Sequence, residues 1–358
     1  MKVGLVLGAG GVQGGAWLTG GLDAIAEQTG WDPATAEVIV GTSAGSMIGT
    51  LLAAGLPPWF MVAHSRGESF DLTDARGAPA ADADRSAGAV FRYERGAVPF
   101  FPGSLPLVIR SLTRLRAHTP AGVMSGWLPR GVISAEPLRD IVRSAVPDSW
   151  TRHPNHWVVA CDYANGRRVA FGREGAPRAR IEDAVAASCS IPGFYRPAKI
   201  AGRSYVDGGI WSTSNLDVLR GIGLDLVICL NPTSTLHPIA GANPMALGRL
   251  VFNRQSGRRL GREARRLRDE GTEVVLVQPT GPDLEAMGIN LMSKANRNEV
   301  IATAQQTTAA QLASPGIAEL LATLPAGNPD MITRPDSPTW EWPGLEELSS
   351  RVENLEAA

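Results

Sequence analysis

The sequence predicts an α/β fold built on parallel strands. A short β-type run, Lys2 to Leu7, breaks abruptly into Gly8-Ala9-Gly10-Gly11, and a second, Glu37 to Val40, breaks into Gly41-Thr42-Ser43-Ala44-Gly45. Each glycine turn is followed by a helical stretch. Apolar runs bounded by glycine suit fully buried strands of a parallel sheet. Strand, helix, strand, helix within the first 55 residues is the pattern of right-handed crossovers.

After the first glycine turn, residues 14–29 read as a helix. Ser46 to Ala54 forms a second, almost wholly apolar helix, stopped by Pro57-Pro58. Residues 65–130 break the alternation, beginning with Ala-, Pro-, Gly- and Asp-rich chain. They continue into an apolar, cationic piece, Val98 to Arg116, with Phe100, Phe101, Leu105, Ile109 and Leu112 beside Arg110, Arg114 and Arg116. Such irregular insertions serve as lids or binding loops. Two readings of Val98 to Arg116 stand side by side: an interfacial segment meeting lipid, or an amphipathic helix packed on its own domain.

Alternation resumes with a helix at Glu136 to Ala145, where Pro137 occupies the first turn. Strands follow at His156 to Asp162 and Arg168 to Phe171 around an Ala164-Asn165-Gly166 turn, and then a helix at Ile181 to Ser188. Arg196 to Ile200, a Gly202 turn, and Tyr205-Val206 lead into Asp207-Gly208-Gly209. A helix at Leu216 to Arg220 and a strand at Leu224 to Leu230 complete another crossover. Residues 246–268 carry eight arginines on a helical pattern, as a solvated basic face or one drawn to anionic lipid. Glu273 to Val277 reads as the last strand and Met292 to Leu312 as a long helix. The expected organisation is one domain over 1–325, with 65–130 as a lid-like insertion. Residues 326–358 then form a Pro-rich linker and an acidic amphipathic tail, Leu345 to Leu355.

Composition narrows the class. The 358 residues are 44% apolar, enough for a sizeable core, and 40 Gly with 26 Pro show no three-residue period. A net charge of −1 offers no electrostatic reason to expect a nucleic-acid partner. Three widely spaced cysteines, Cys161, Cys189 and Cys229, suggest reduced thiols and a cytoplasmic protein, with peripheral membrane contact left open. Residues 1–63 hold thirteen glycines and only five charges. Eight glycines among residues 3–22 break up any signal-peptide core. Val38 to Ala63 is uncharged for 26 residues but contains the Gly41–Gly45 turn and Pro57-Pro58, so it reads as buried strand, turn and helix.

Gly41-x-Ser43-x-Gly45 between strand and helix is the context of a nucleophile elbow, in which the glycines permit a sharp turn and the serine hydroxyl is exposed at the helix N-terminus. The Gly8–Gly15 loop offers backbone N–H groups to an anion. Gly8-x-Gly10-x-x-Gln13 lacks the third glycine of a dinucleotide loop, and no acidic residue ends the second strand to hold a ribose. An oxyanion is therefore the better client.

The serine requires a base. Of His64, His118, His153, His156 and His237, only His237 extends Ser43 and Asp207 into the chain order of an α/β-hydrolase triad. Against the triad, only one strand precedes the elbow's own. Asp207, at a strand end followed by Gly208-Gly209, could instead act directly on Ser43. His153-x-x-His156 is a weak metal spacing, and no metal or organic cofactor is expected.

The glycine loop at 8–14, Gly-Thr-Ser-Ala-Gly at 41–45 and Asp-Gly-Gly at 207–209 together resemble the patatin-like phospholipases. Ala187-Ser188-Cys189-Ser190-Ile191-Pro192 is similar to that family's Ala-Ser-x-x-x-Pro segment. The resemblance implies a three-layer α/β/α sandwich with a mostly parallel sheet, and a serine lipid acyl hydrolase using a Ser-Asp dyad. It implies Ser43 as nucleophile, Asp207 as base, and the Gly10 and Gly11 amides in the oxyanion hole, with Gly8, Gly14, Gly41, Gly45, Gly208 and Gly209 supporting the motifs. The partner implied is a lipid or acyl-ester substrate. A soluble esterase or thioesterase of the same fold and a catalytically silent lipid-binding module are the alternatives. The sequence departs from the family where Gln13 stands at a position often held by Arg or Lys.

Overall fold

The computed structural model describes residues 1–67, 91–113, 119–235 and 244–334. His118, His237 and the acidic stretch 345–355 lie outside the described residues.

A mixed, mostly parallel eight-stranded sheet forms the centre. Its strands are β1 (Val3–Leu7), β2 (Val38–Thr42), β5 (His156–Asp162), β6 (Arg168–Phe171), β7 (Ala198–Ile200), β8 (Arg203–Asp207), β9 (Leu226–Leu230) and β10 (Glu273–Val277). The order is β10-β9-β1-β2-β5-β8-β7, with β6 also on β5. From β10 to β5 every pairing is parallel, whereas β6 and β8 run antiparallel to β5. A two-stranded ribbon pairs β3 (Arg92–Tyr93) with β4 (Ile133–Ser134).

Alternation along the strands divides the core into layers. Leu5, Leu7, Ile228 and Leu230 join the helices α1 (Gly11–Thr29) and α10 (Arg297–Leu312), which contribute Trp17, Leu18, Ile301 and Ala304. Val6, Val227 and Cys229 face the other way, onto Leu260, Ala264 and Leu267 of α8 (Pro244–Arg268). Opposite Cβ directions at successive positions thus produce the expected three-layer sandwich. A third cluster joins Val158 and Ala160 of β5 to α6 (Glu136–Ala145) and α7 (Ile181–Ser188).

Several boundaries differ from expectation. Helix α1 begins at Gly11, so the glycine loop itself supplies the first helical turn. Leu216–Leu219 is a 3₁₀ turn instead of an α-helix. The insertion is partly regular, with α4 (Leu105–Thr113) and α5 (Pro120–Trp127) packed together. Helix α10 starts at Arg297 and not at Met292; Asn296 before it adopts left-handed φ of 62°. The carbonyls of Leu291 and Ala295 accept hydrogen bonds from Gln13, which diverts groups that an earlier helix start would use. After Pro325 the chain does not leave the body directly: Ile332 is buried, and the Trp59 indole N–H donates to the Asp330 carbonyl. All three cysteines are buried and unpaired. Among the described residues no helix is long and apolar enough to cross a membrane.

Candidate active site

Ser43 sits between β2, which ends at Thr42, and helix α2 (Ala44–Ala53). Its φ of 53° with ψ of −121° is rare for a residue bearing a side chain. Gly45 makes the conformation possible, since a Cβ there would lie 2.0 Å from the Leu7 carbonyl oxygen. Gly41 lies at the other side of the turn, packed against Ser46. The helix can therefore begin against the end of β1 with Ser43 at its positive N-terminus.

Asp207 ends β8 and opens the 3₁₀ turn Gly208–Ile210. Its carboxylate accepts the Gly209 N–H at 2.7 Å and lies beside the Ser43 side chain. Burial pushes the Asp207 carboxyl up to about 6, against the opposing effect of the neighbouring Ser43 side chain and the Gly209 N–H. Gly208 permits the chain to pass the β5 backbone, because a Cβ there would stand 2.5 Å from the Val159 carbonyl oxygen.

The segment that resembles Ala-Ser-x-x-x-Pro holds both partners. Ser188 Oγ accepts the Ser43 N–H at 2.8 Å and donates to the Val159 carbonyl at 2.6 Å. Two residues on, the Ser190 carbonyl accepts the Asp207 N–H at 2.9 Å. Asn215 adds a second clamp that sequence reasoning missed. Its fully buried side-chain amide donates to Thr42 Oγ1 at 3.0 Å, to the Ser212 carbonyl at 2.6 Å and, at 3.4 Å, to the Gly208 carbonyl. It thereby joins the residue before Ser43 to the residue after Asp207. No local spacing signals this, because Asn215 and Thr42 are 173 residues apart.

The glycine loop lies alongside. The Gly8 and Ala9 N–H groups donate to the Leu230 and Thr213 carbonyls, whereas those of Gly10 and Gly11 make no hydrogen bond among the described residues. Gly10 precedes α1, and Gly11 has a left-handed φ of 62°. Gly14 packs under Pro232. The Gly209 Cα is close enough to this loop that an added Cβ would lie 3.5 Å from the Ala9 Cβ. Buried Gln13 ties the loop to the 291–295 segment: its N–H donates to Leu291 at 3.0 Å and its side-chain amide donates to the Ala295 carbonyl.

The described histidines take other places. His153 contacts the Ala36 carbonyl, and His64 stacks on Phe60. His156 opens β5 beside Thr151, four residues along the strand from Ala160, the residue opposite Asp207. Burial holds the His156 imidazole down at about 3, so it stays neutral. Among the described residues no His, Cys, Asp and Glu side chains cluster as a metal site.

The sequence pattern of the family described as Patatin-like phospholipase matches residues 5–220, more than half of the chain. The chain belongs to the patatin-like phospholipase family. The match takes in the glycine loop, the Ser43 elbow, Ser188 and Asp207 of this patatin-like chain. Similar curated proteins include uncharacterized NTE family proteins of Mycobacterium bovis and Mycobacterium tuberculosis, each 32% identical over 117 residues. That alignment covers 32% of the patatin-like chain and 31% of each relative, about a third of their length. Among solved structures, VipD from Legionella pneumophila aligns with 99% of this chain and 75% of its own, at 14% identity and a TM-score of 0.38.

Proposed function

We propose that this patatin-like protein is a serine lipid acyl hydrolase that cleaves carboxylic esters of lipids or phospholipids. The observation that carries the reading is the placement of Ser43, at a strained strand-to-helix turn, beside the buried Asp207 carboxylate.

Asp207 accepts the Ser43 proton as Ser43 Oγ attacks the ester carbonyl. A carboxyl raised to about 6 is a stronger base than an ordinary aspartate and is still largely ionised at neutral pH. The unpaired Gly10 and Gly11 N–H groups hold the oxyanion, supported by the N-terminus of α1. Collapse of the tetrahedral intermediate expels the alcohol, which takes the proton from Asp207. Water then loses a proton to Asp207, attacks the acyl-enzyme and releases the fatty acid with Ser43 restored. No step needs a metal or an organic cofactor.

The test combines a fluorophosphonate probe with turnover of a short p-nitrophenyl ester. Wild type is labelled at Ser43 and turns over, whereas Ser43→Ala does neither and Asp207→Asn loses turnover with its fold intact. An unlabelled wild type would leave a silent lipid-binding module, and full activity in Asp207→Asn would remove the dyad.

A further inference from the structure

Helix α4 is apolar on two faces but buried on one. Leu107, Val108 and Ser111 pack inward, while Leu105, Ile109 and Leu112, at helical spacing, are each more than half exposed. Phe100, Phe101 and Met124, on the segments packed beside α4, are exposed to the same degree. Those segments are joined by α4–α5 packing and by the Arg130 N–H donated to the Phe100 carbonyl. Isolated exposed leucines need no explanation, but a concentration of large apolar side chains on neighbouring elements marks an interaction surface.

Charge selects the partner. Residues 91–130 contain six arginines and one acid, Glu94, in a chain whose net charge is −1. Glu94 is itself paired with Arg196. Apolar side chains beside Arg92, Arg95, Arg110 and Arg130, none of which pairs with an acid among the described residues, fit a surface with an apolar interior and anionic headgroups. The position is also suited to a lipid hydrolase. Helix α5 rests on the Gly208–Ile210 turn, where Thr119 Oγ donates to the carbonyl of Ile210, three residues beyond Asp207.

We propose that the face formed by residues 91–113 and 119–130 docks the protein on a bilayer containing anionic phospholipid, with Leu105, Ile109 and Leu112 entering the interface. The docking surface does not depend on Ser43 chemistry, so the two readings fail separately. The test is co-sedimentation of the full chain with vesicles of phosphatidylcholine alone or mixed equally with phosphatidylglycerol, alongside turnover of a soluble ester.

Wild type should bind the mixed vesicles at least about tenfold more tightly than neutral ones, and added salt should weaken that binding. The Ile109→Asp/Leu112→Asp variant should lose about tenfold or more in vesicle binding while hydrolysing the soluble ester at the wild-type rate. Equal vesicle binding by wild type and variant, or none by wild type, would overturn the docking surface. So would a wild-type dimer that the variant abolishes, which would give the face to a second copy. Vesicle binding only after removal of residues 335–358 would likewise overturn it, by giving the face to the tail. Vesicle binding by a wild type inert toward the ester would support docking and count against the hydrolase reading instead.

Discussion

Ser43 and Asp207 come side by side because β2 and β8 approach the same point of β5 from opposite directions. Thr42 lies opposite Val159, and Asp207 lies opposite the next residue, Ala160. Strand β6 occupies the other edge of β5 along Val158–Cys161, so β2 and β8 must share one edge, nearly end to end. The elbow and the aspartate are thus fixed by sheet register, with little dependence on loop conformation. If Asp207 is the base, kcat/KM for a soluble ester should show an acid limb with an apparent pKa of about 6, dropping tenfold per pH unit below it. Asp207→Asn should lose at least about 100-fold in kcat. A flat rate between pH ~5 and ~8 would rule Asp207 out as the base.

The same burial makes Asp207 costly to the fold. An acid whose pKa is raised from 3.8 to about 6 binds its proton more tightly when folded, so stability is greatest while it is protonated in both states. As pH rises from ~4 to ~6 that stability is lost, by up to about 3 kcal/mol. Asp207→Asn, which cannot ionise, should therefore be the more stable protein at neutral pH, by roughly 1–3 kcal/mol. The gap should close below pH ~4. Thermal denaturation across this range checks the sign; a variant less stable than wild type at neutral pH would contradict the argument.

Much of this was legible in the sequence wherever turn chemistry and strand patterning act locally. Glu136–Ala145, His156–Asp162, Arg168–Phe171, Ile181–Ser188 and Glu273–Val277 have the bounds that their patterns predict. The two glycine turns likewise read correctly as strand-to-helix devices, because the requirement they answer lies within a few residues. What was hidden depends on contacts between distant positions. Ser188 reaches Ser43 across 145 residues, Asn215 reaches Thr42 across 173, and Gln13 reaches Ala295 across 282. The expected helix start at Met292 failed for that reason: local periodicity extends past Arg297, but tertiary bonds claim the backbone there.

Asn215 should position the dyad without touching substrate. Truncating it to Ala leaves Thr42 Oγ1 without the bond from its side-chain amide and removes the brace on the Gly208 carbonyl, at a cost of roughly 1–3 kcal/mol. If the brace also aligns Ser43 with Asp207, kcat should fall about tenfold or more while KM changes little. Asn215→Asp should fail in the same way, since it keeps the acceptor for Arg168 but loses the donor toward Thr42. Equal kcat in wild type and both variants would reduce Asn215 to a structural residue.

Gln13 stands where the family resemblance leads one to expect a cation, and its surroundings indicate a different task. Its N–H and side-chain amide both donate into the Leu291–Ala295 segment, which lies against the glycine loop: a Cβ on Gly11 would be 2.9 Å from the Leu291 carbonyl oxygen. Its Oε1 is buried with no partner among the described residues, a cost accepted alongside the two donations. Gln13→Ala removes the Ala295 bond and the unpartnered oxygen together, so global stability should change by no more than ~1–2 kcal/mol. The local effect should be larger. Amide exchange at Met292, Ser293 and Ala295, whose N–H groups are bonded within the segment, should accelerate about tenfold or more as the segment loosens. With its cover loosened, the first turn of α1 should place the Gly10 and Gly11 amides less accurately and lower kcat in parallel. Accelerated exchange with unchanged kcat would restrict Gln13 to anchoring the segment, whereas unchanged exchange would show that the segment is held without it.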